Sequence, residues 1–516
     1  MPISFNSIPA NWRMPLYWVE VDPSMAGFPV YRQAILVVGH ANAASAAPGD
    51  GGSTVPFDIP IAIGSKQEAR AFFGAGSMLD NMFERIFDNN FAAEVWGLPI
   101  AEPAAGVAAT GTITVSSPPT GAGTLALYVN GRRVQIGVAA DDTADEVATN
   151  IVAAIQADPG MAVTANSIAS AVTLTARHKG IDGNFIDVRD NYGGSLAGER
   201  MPDGLGLTYD NGGKLAGGTG TPDMDTALAN LGDEPFEYVA LAFTDSTSLV
   251  AWENEYGFSD SGRWGWMRQL YGHVFASYKD TYQNIITWGP NNNSPVVSVM
   301  ALEKQTPTAP WEYAAAYTAK AARALLNDPA RPLQTLTLQG CLPAPKHQKF
   351  TMAELNAMST VGMATQRPNG DGIPAIMRDT TTYQKNLYGQ PDDAYEVVTT
   401  LATLARLFRN QRQAITSKFP RHKLADDGTR FGPGQAIVTP KIIKAELVAE
   451  YRVDEYNGLV ENAIAFKQNL IVERDPNDPN RVNVLYPPDL VNQLRIFAVL
   501  AQFRLQYDRG VDTSLA

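Results

Sequence analysis

The sequence predicts a multidomain α/β and α+β protein: an α/β core interrupted by a small α+β insert, an α+β region after it, and extended segments at both ends. Three observations carry this expectation. Apolar, β-branched runs alternate with helix-period segments over residues 34–100 and 221–327. Between them the texture changes to small residues, threonine alternation and glycine turns. Beyond residue 350 come long charged helices and then a hairpin. With 516 residues and 45% hydrophobic composition, the chain can bury several cores, and its length suits two to four domains.

Pro2, Pro9, Pro15, Pro23 and Pro29 forbid a helix at the start and permit only short extended pieces. Leu16-Tyr-Trp-Val-Glu-Val-Asp22 is the best of these, with Tyr17, Val19 and Val21 on one face. It serves either as an edge strand of its own domain or as an arm reaching a neighbour. Ala34-Ile-Leu-Val-Val-Gly-His40 is a buried-type strand. A helical stretch over about 66–90, broken near Gly74 and Gly76, precedes the strand Ala93-Glu-Val-Trp-Gly97.

Residues 105–207 are expected to form a compact insert with its own core, bounded by the glycine-rich run 204–220. Asn130-Gly131 between alternating strands signals a hairpin, and Thr143-Ala-Asp-Glu146 a capping box that opens a helix ending before Pro159-Gly160. The α/β rhythm then resumes. Thr221-Pro222 caps a helix ending at Gly232, while Tyr238-Val-Ala-Leu-Ala-Phe243 and Val296-Val-Ser-Val-Met-Ala301 are buried strands. Residues 311–327 form an apolar-faced helix, so a mainly parallel sheet covered on both sides is expected.

Thr351-Met-Ala-Glu354 caps a short helix, and 392–418 is expected as the longest helix of the chain. Residues 441–453 place Ile443, Leu447 and Tyr451 in one row. Leu470-Ile-Val-Glu-Arg474 and Val482-Asn-Val-Leu485 flank a long turn and read as a hairpin. Past Pro487-Pro488, Phe497, Val499, Ala501, Phe503, Leu505 and Tyr507 share one face of a final strand, interrupted by Arg495, Gln502, Arg504 and Gln506. A terminal strand with free backbone groups pairs at home or with another molecule.

The net charge of −13 and pI near 5.0 argue against a general nucleic-acid or membrane-surface binder. No signal peptide is visible, and no apolar run approaches the roughly 18 residues of a membrane span. A single cysteine, Cys341, excludes an intramolecular disulfide and cysteine-based zinc sites. His40, His178, His273, His347 and His422 are scattered outside metal-ligand spacing, so no metal or cofactor is expected. Gly217-Gly-Thr-Gly-Thr-Pro222 lacks the Gly-Lys-[Ser/Thr] ending of a phosphate-binding loop. A serine hydrolase is the enzyme reading to test, yet Ser359 has no Gly-Thr-Ser frame and no G-x-S-x-G occurs. Asp141-Asp142, Asp392-Asp393 and Asp426-Asp427 read as solvated caps. Arg406, Arg409, Arg412, Lys418, Arg421 and Lys423, with His422, stand out in an acidic chain. They suit a solvated helix face or a basic helix docking on an acidic protein surface; nucleic acid is the weaker third reading, because no aromatic is interleaved on the basic face.

Three stretches resemble the contractile-tail sheath proteins of Mu-like phages: Ile3-Ser-Phe-Asn-Ser-Ile-Pro9, Gly458-Leu-Val-Glu-Asn462 through Val472-Glu-Arg474, and Tyr486-Pro-Pro-Asp-Leu-Val-Asn-Gln-Leu-Arg495. The resemblance implies a polymer-forming subunit with no catalytic activity. Its α/β core, residues 31–104 and 208–350, would be subtilisin-like in shape without being a protease. The insert 105–207 would face outward, and an α+β domain over 351–490 inward. Arms over 1–30 and 491–516 would add strands to neighbours. The exchanged strands would carry Leu16, Trp18, Val19, Val21, Phe497, Val499, Phe503 and Leu505, and the receiving hairpin Ile471, Val472, Val482 and Val484. Arg406, Arg409, Arg412, Lys418, Arg421 and Lys423 would face the tube. Implied partners are neighbouring copies, the tail tube protein, and baseplate and terminator proteins, with no nucleic acid and no membrane insertion. Stacked rings of six would surround the tube in a virion tail assembled in the bacterial cytoplasm, and contraction would drive the tube into the host. A phage-derived contractile injection device is the variant reading.

Overall fold

The computed structural model describes residues 11–15, 17–19, 33–45, 51–90, 92–432 and 434–505. The core begins with β1 (Ala34–His40), buried along its whole length, as a parallel strand covered on both faces requires. β2 (Ile61–Ile63) follows, then α1 (Lys66–Phe73) and α2 (Met78–Asn89), capped by the Ser65 and Ser77 hydroxyls, then β3 (Glu94–Ile100). The break between the helices is enforced at Gly76, with φ +71°, where a Cβ would fall 2.1 Å from the Met161 carbonyl oxygen.

The insert contains β4 (Ala108–Ser117), β5 (Gly123–Val129), β6 (Arg132–Val138), α3 (Ala144–Ala157), β7 (Val163–Ile168), β8 (Ala171–Lys179), β9 (Val188–Asp190) and β10 (Gly206–Tyr209). Asn130 and Gly131 both take positive φ in the β5–β6 turn, and Thr143 and Glu146 close a reciprocal capping box on α3. Two small sheets, β10-β4-β8-β7 and β6-β5-β9, pack with α3.

The chain returns through α4 (Asp225–Leu231), β11 (Phe236–Leu241), α5 (Ser246–Tyr256), β12 (His273–Asp280), α6 (Tyr282–Trp288), β13 (Val297–Glu303), α7 (Pro310–Asn327), α8 (Met352–Thr360), β14 (Met363–Pro368) and β15 (Pro374–Arg378). An eight-stranded sheet in the order β15-β14-β13-β12-β11-β1-β3-β2 results. Its six inner strands are mutually parallel, and the two edge strands pair antiparallel. The remaining elements are α9 (Val398–Lys418), β16 (Lys423–Leu424), β17 (Ile437–Val438), α10 (Pro440–Tyr456), α11 (Ala463–Asn469), β18 (Ile471–Arg474) and β19 (Val482–Leu485).

Several expectations are corrected. The longest helix starts at Val398 instead of 392. The Asp392 carboxylate accepts from Ala394 N and Tyr383 Oη, and Thr381 N donates to Glu396 O, so these residues close a turn. α4 opens at Asp225, not beside Pro222, because the Asp223 carboxylate accepts from Asp225 N. Nor does the insert have a separate core: Ile113, Leu127, Ile151 and Leu174 belong to one continuous buried cluster with Val37, Leu98 and Trp311. The C-terminal run carries no strand over 491–505, and Tyr507 lies outside the described residues. Within the N-terminal piece, Leu16 and Val21 also lie outside them. Trp18 Nε1 donates to Met14 O at 3.2 Å, and its ring meets Trp12 edge-on at 5.1 Å, so Trp18 returns to its own N-terminal segment.

The insert is clamped to the core by polar groups. Glu312 of α7, buried, accepts from Arg85 Nε of α2 at 2.9 Å and from Asn130 Nδ2 of the insert turn at 2.6 Å. Lys279 of β12 donates to the carbonyls of Phe185 and Thr306 at 2.6 and 3.2 Å. Burial is the largest influence on both groups, raising the Glu312 carboxyl and pushing the Lys279 ammonium down to about 7. Replacing Glu312 by Ala leaves Arg85 inside with its principal carboxylate gone. Arg85 keeps Asp88 and Glu84 while Asn130 loses its acceptor, so we expect a loss of about 1–3 kcal/mol of unfolding free energy, measured by denaturant titration.

Three histidines are buried neutral. Burial pushes His40 down to about 4, and His178 and His273 to about 3. The unfolded chain binds these protons below about pH 6.5. Their contribution is therefore fully present above 6.5 and is lost as pH falls towards 3. Asp182, raised to about 7 by burial, acts in the opposite sense: its contribution is present below the ordinary carboxylate range and lost as pH rises through 7. Neither ring nitrogen of His273 has a partner. His273→Leu should flatten the fall in thermal midpoint between pH 6.5 and 3; an unchanged slope would refute the assignment.

Candidate assembly interface

The C-terminal region is built on a second, smaller cluster of Leu407, Leu447, Tyr451, Leu459, Val460, Phe466 and Leu470. Tyr451 of α10 stacks on Phe466 of α11 with centroids 3.7 Å apart and planes 4° from parallel. Its hydroxyl donates to Glu461 O at 2.7 Å and accepts from Asp489 N at 3.0 Å. Glu461 N donates to Asp489 O, and Val460 bridges Leu490, so the segment after Pro487-Pro488 is pinned to this cluster.

The β18–β19 hairpin leads into that segment. Asp475 preorganises its turn by accepting from the amides of Asn477 and Asp478 and from Asn483 Nδ2. The register pairs Ile471 with Leu485 and Val472 with Val484. Val472 packs towards the small cluster, whereas Ile471, Val484 and Leu485 are exposed and Val482 is half-buried. Among the described residues no third strand pairs with this hairpin, so backbone groups along its edges remain open.

Beyond the hairpin the chain is fastened once more. Gln493 Nε2 donates to Ala330 O, and Arg495 pairs with the fully buried Asp379 at 2.7 Å. After this latch come Ile496, Phe497, Val499, Leu500, Phe503 and Leu505, each between 69% and 98% exposed. A side chain of this kind gains roughly 1.5–3 kcal/mol on full burial. Ordering each residue costs roughly 1–2 kcal/mol in backbone entropy, so burial alone does little more than break even. A template that also supplies backbone hydrogen bonds tips the balance.

The six sequence-predicted cations of the basic helix separate. Arg409 turns inward to Glu237 and lies over the Tyr271 ring at 5.5 Å. Arg406 donates to Leu326 O at 2.8 Å, and Lys418 pairs with Glu446. Arg412, Arg421 and Lys423 lie exposed. Trp18 and Val19 are likewise exposed. Sequence reasoning missed the Arg495–Asp379 latch; its one signal is an arginine inside an otherwise apolar run.

The groups considered for catalysis do not converge. Ser359 Oγ lies 3.1 Å from Thr380 Oγ1, with no histidine bonded to it. His40, at the end of β1, bonds Ile100 O through Nδ1 and packs against Phe243 and the insert's His178, which meets Trp311. Ligand sites in open α/β sheets form outside the carboxyl ends of the strands, where connections diverge. Here that crevice is plugged by His178. The described residues contain no group of three His, Cys, Asp or Glu placed to hold a metal ion, and no helix long and apolar enough to cross a membrane.

Residues 217–382 match the phage tail sheath protein central domain, and 390–504 the phage tail sheath C-terminal domain. The chain belongs to the phage tail sheath family, and within it to the Mu-like group. The Mu-like prophage FluMu tail sheath protein of Haemophilus influenzae is 38% identical over 508 residues, spanning 98% of this chain and 100% of the relative. Solved structures give distant likenesses. A sheath tail protein from Desulfitobacterium hafniense has 12% identity and a TM-score of 0.47, covering 93% of this chain and 97% of its own. The contracted helical sheath of the anti-feeding prophage has 10% identity and a TM-score of 0.44, covering 96% and 100%.

Arg495→Gln leaves Asp379 buried without its cation. We expect chymotrypsin, which should first cut the native chain at Phe497, to reach Leu490 and Leu494 as well; an unchanged cleavage map would show that the latch does not hold this segment.

Proposed function

We propose that this chain polymerises as stacked hexameric rings around a tail tube, and that the sheath contracts to drive the tube into the host envelope. The observation that carries the reading is the apolar run 496–505, left without cover beside a preorganised hairpin with open edges. Phe497, Val499, Phe503 and Leu505 would enter a neighbour as an added strand, joined by the N-terminal segment through Leu16, Trp18, Val19 and Val21. The neighbour's Ile471, Val472, Val482 and Val484 would receive them. Strand exchange holds copies together through backbone hydrogen bonds that survive rotation of the rigid cores, which suits a sliding lattice.

Arg412 on α9, and Arg421 and Lys423 just beyond its end at Lys418, are the exposed cations that would face an acidic tube surface, with Arg406 and Arg409 bracing the helix from behind. Baseplate and terminator proteins would bound the polymer in a virion tail built in the bacterial cytoplasm. The subunit acts by assembly, without a catalytic step.

Removing residues 496–516 while keeping the Arg495 latch tests this. Negative-stain microscopy at rising concentration should show tubes or stacked rings for the full chain and dispersed monomers for the truncated one. Wild-type tubes from the truncated chain would refute strand exchange. Dispersed full-length chain, even with a matching tube protein, would refute the sheath reading itself.

A further inference from the structure

The loop 257–270, between α5 and β12, is held far more firmly than a connection requires. Arg263, fully buried, bonds Glu255 Oε1 at 2.8 Å and the carbonyls of Glu234 and Gly232 at 2.6 and 3.2 Å. Arg268 bonds Asp233, Glu255, Ser261 O and Gly232 O, all within 3.0 Å. Trp264 Nε1 donates to Gly272 O at 2.9 Å. Added Cβ atoms at Gly262 and Gly265 would fall 2.1 and 2.2 Å from backbone oxygens. This rigid frame presents Trp266 and Met267 at 70% and 66% exposure, with Trp266 Nε1 fixed to Asp260 Oδ1 at 2.9 Å. A preorganised loop tipped by tryptophan and methionine has the character of an interface anchor. Both arginine forks point inward, so the outward charges are Asp233, Glu234 and Asp260.

These residues precede β11 and β12 and so occupy the amino end of the parallel sheet. At the carboxyl end lies a group of exposed cations. Lys304 follows β13, Arg367 lies near the end of β14, and the turn bearing Lys346 and Lys349 is tied there by Phe350 N to Glu303 Oε1 at 3.3 Å. Lys304, Lys346 and Arg367 are exposed and Lys349 is half-buried. The seven residues of β13 separate the two ends by roughly 20 Å, so the patches cannot satisfy each other within one chain.

We infer that the Trp266–Met267 loop of one copy docks on the lysine-rich sheet end of the next copy. Two different, oppositely charged patches on opposite ends of one rigid sheet make a heterologous contact, which propagates from subunit to subunit. The inference rests on the self-assembly proposed above but uses surfaces separate from the terminal arms. The occupant is a second copy because the complementary surface is on this chain, at the other end of the same sheet.

The test compares assembly of full-length variants by sedimentation and negative-stain microscopy, with circular dichroism and thermal midpoints to monitor folding. Trp266→Ala, Asp233→Lys with Glu234→Lys, and Lys346→Glu with Lys349→Glu should each raise the concentration needed for tubes at least tenfold. The charge-swapped chain carrying both pairs should recover most of the loss, and wild-type tubes should weaken with added salt. Variants assembling like wild type, including any that fail only to coat a tube, would overturn the inference, as would a swapped chain no better than its parents. Wild-type chain that forms no tubes would overturn the assembly reading and this contact with it.

Discussion

A single buried carboxylate holds the architecture together. Glu312 reaches from α7 to Arg85 on α2 and to Asn130 in the first hairpin turn of the insert. A carboxyl so deep is tolerable only when partners surround it, and these come from two stretches of chain distant from α7. The helix layer, the sheet beneath it and the insert therefore share one set of positions. The continuous apolar cluster beneath says the same in packing terms, because no polar layer divides insert from core.

That union also packs side chains beside the carboxyl end of β1, where an α/β sheet ordinarily offers a ligand crevice. His178 of the insert fills the space beside His40, and Trp311 closes it from the helix layer. The imidazoles are kept neutral by burial, and the buried acid Asp182 is pushed towards neutrality as well. These groups pack the interior. The features on which the proposed assembly rests lie on the outside, in open strand edges, exposed apolar side chains and charged patches.

What the sequence disclosed was local. β1 is readable because every residue of Ala34–His40 suits a strand covered on both faces, and Thr143 and Thr351 announce their helices because a capping box is complete within four residues. β12 was not readable. Lys279 and Ser277 look like solvent positions, yet both are buried, and Lys279 depends on carbonyls 94 and 27 residues away. The start of α9 was misplaced because Asp392 bonds its own neighbourhood in place of a helix. The terminal segment has the composition of a strand, but a strand exists only where a partner supplies hydrogen bonds, and one chain alone supplies none. The family was legible in the motifs around Tyr486–Arg495, and the state of this segment was not.

The Arg495–Asp379 pair has a mechanical consequence. Asp379 ends the β15 edge of the large sheet, and its carbonyl accepts from Val398 N, the first residue of α9. A tail gripped by a neighbour would hand its tension to this ion pair before reaching the hairpin or the stacked Tyr451 and Phe466. In the proposed assembly the pull would enter the large sheet at the root of α9. The small C-terminal cluster would then be spared the strain, and a displaced neighbour would turn the sheet as one lever.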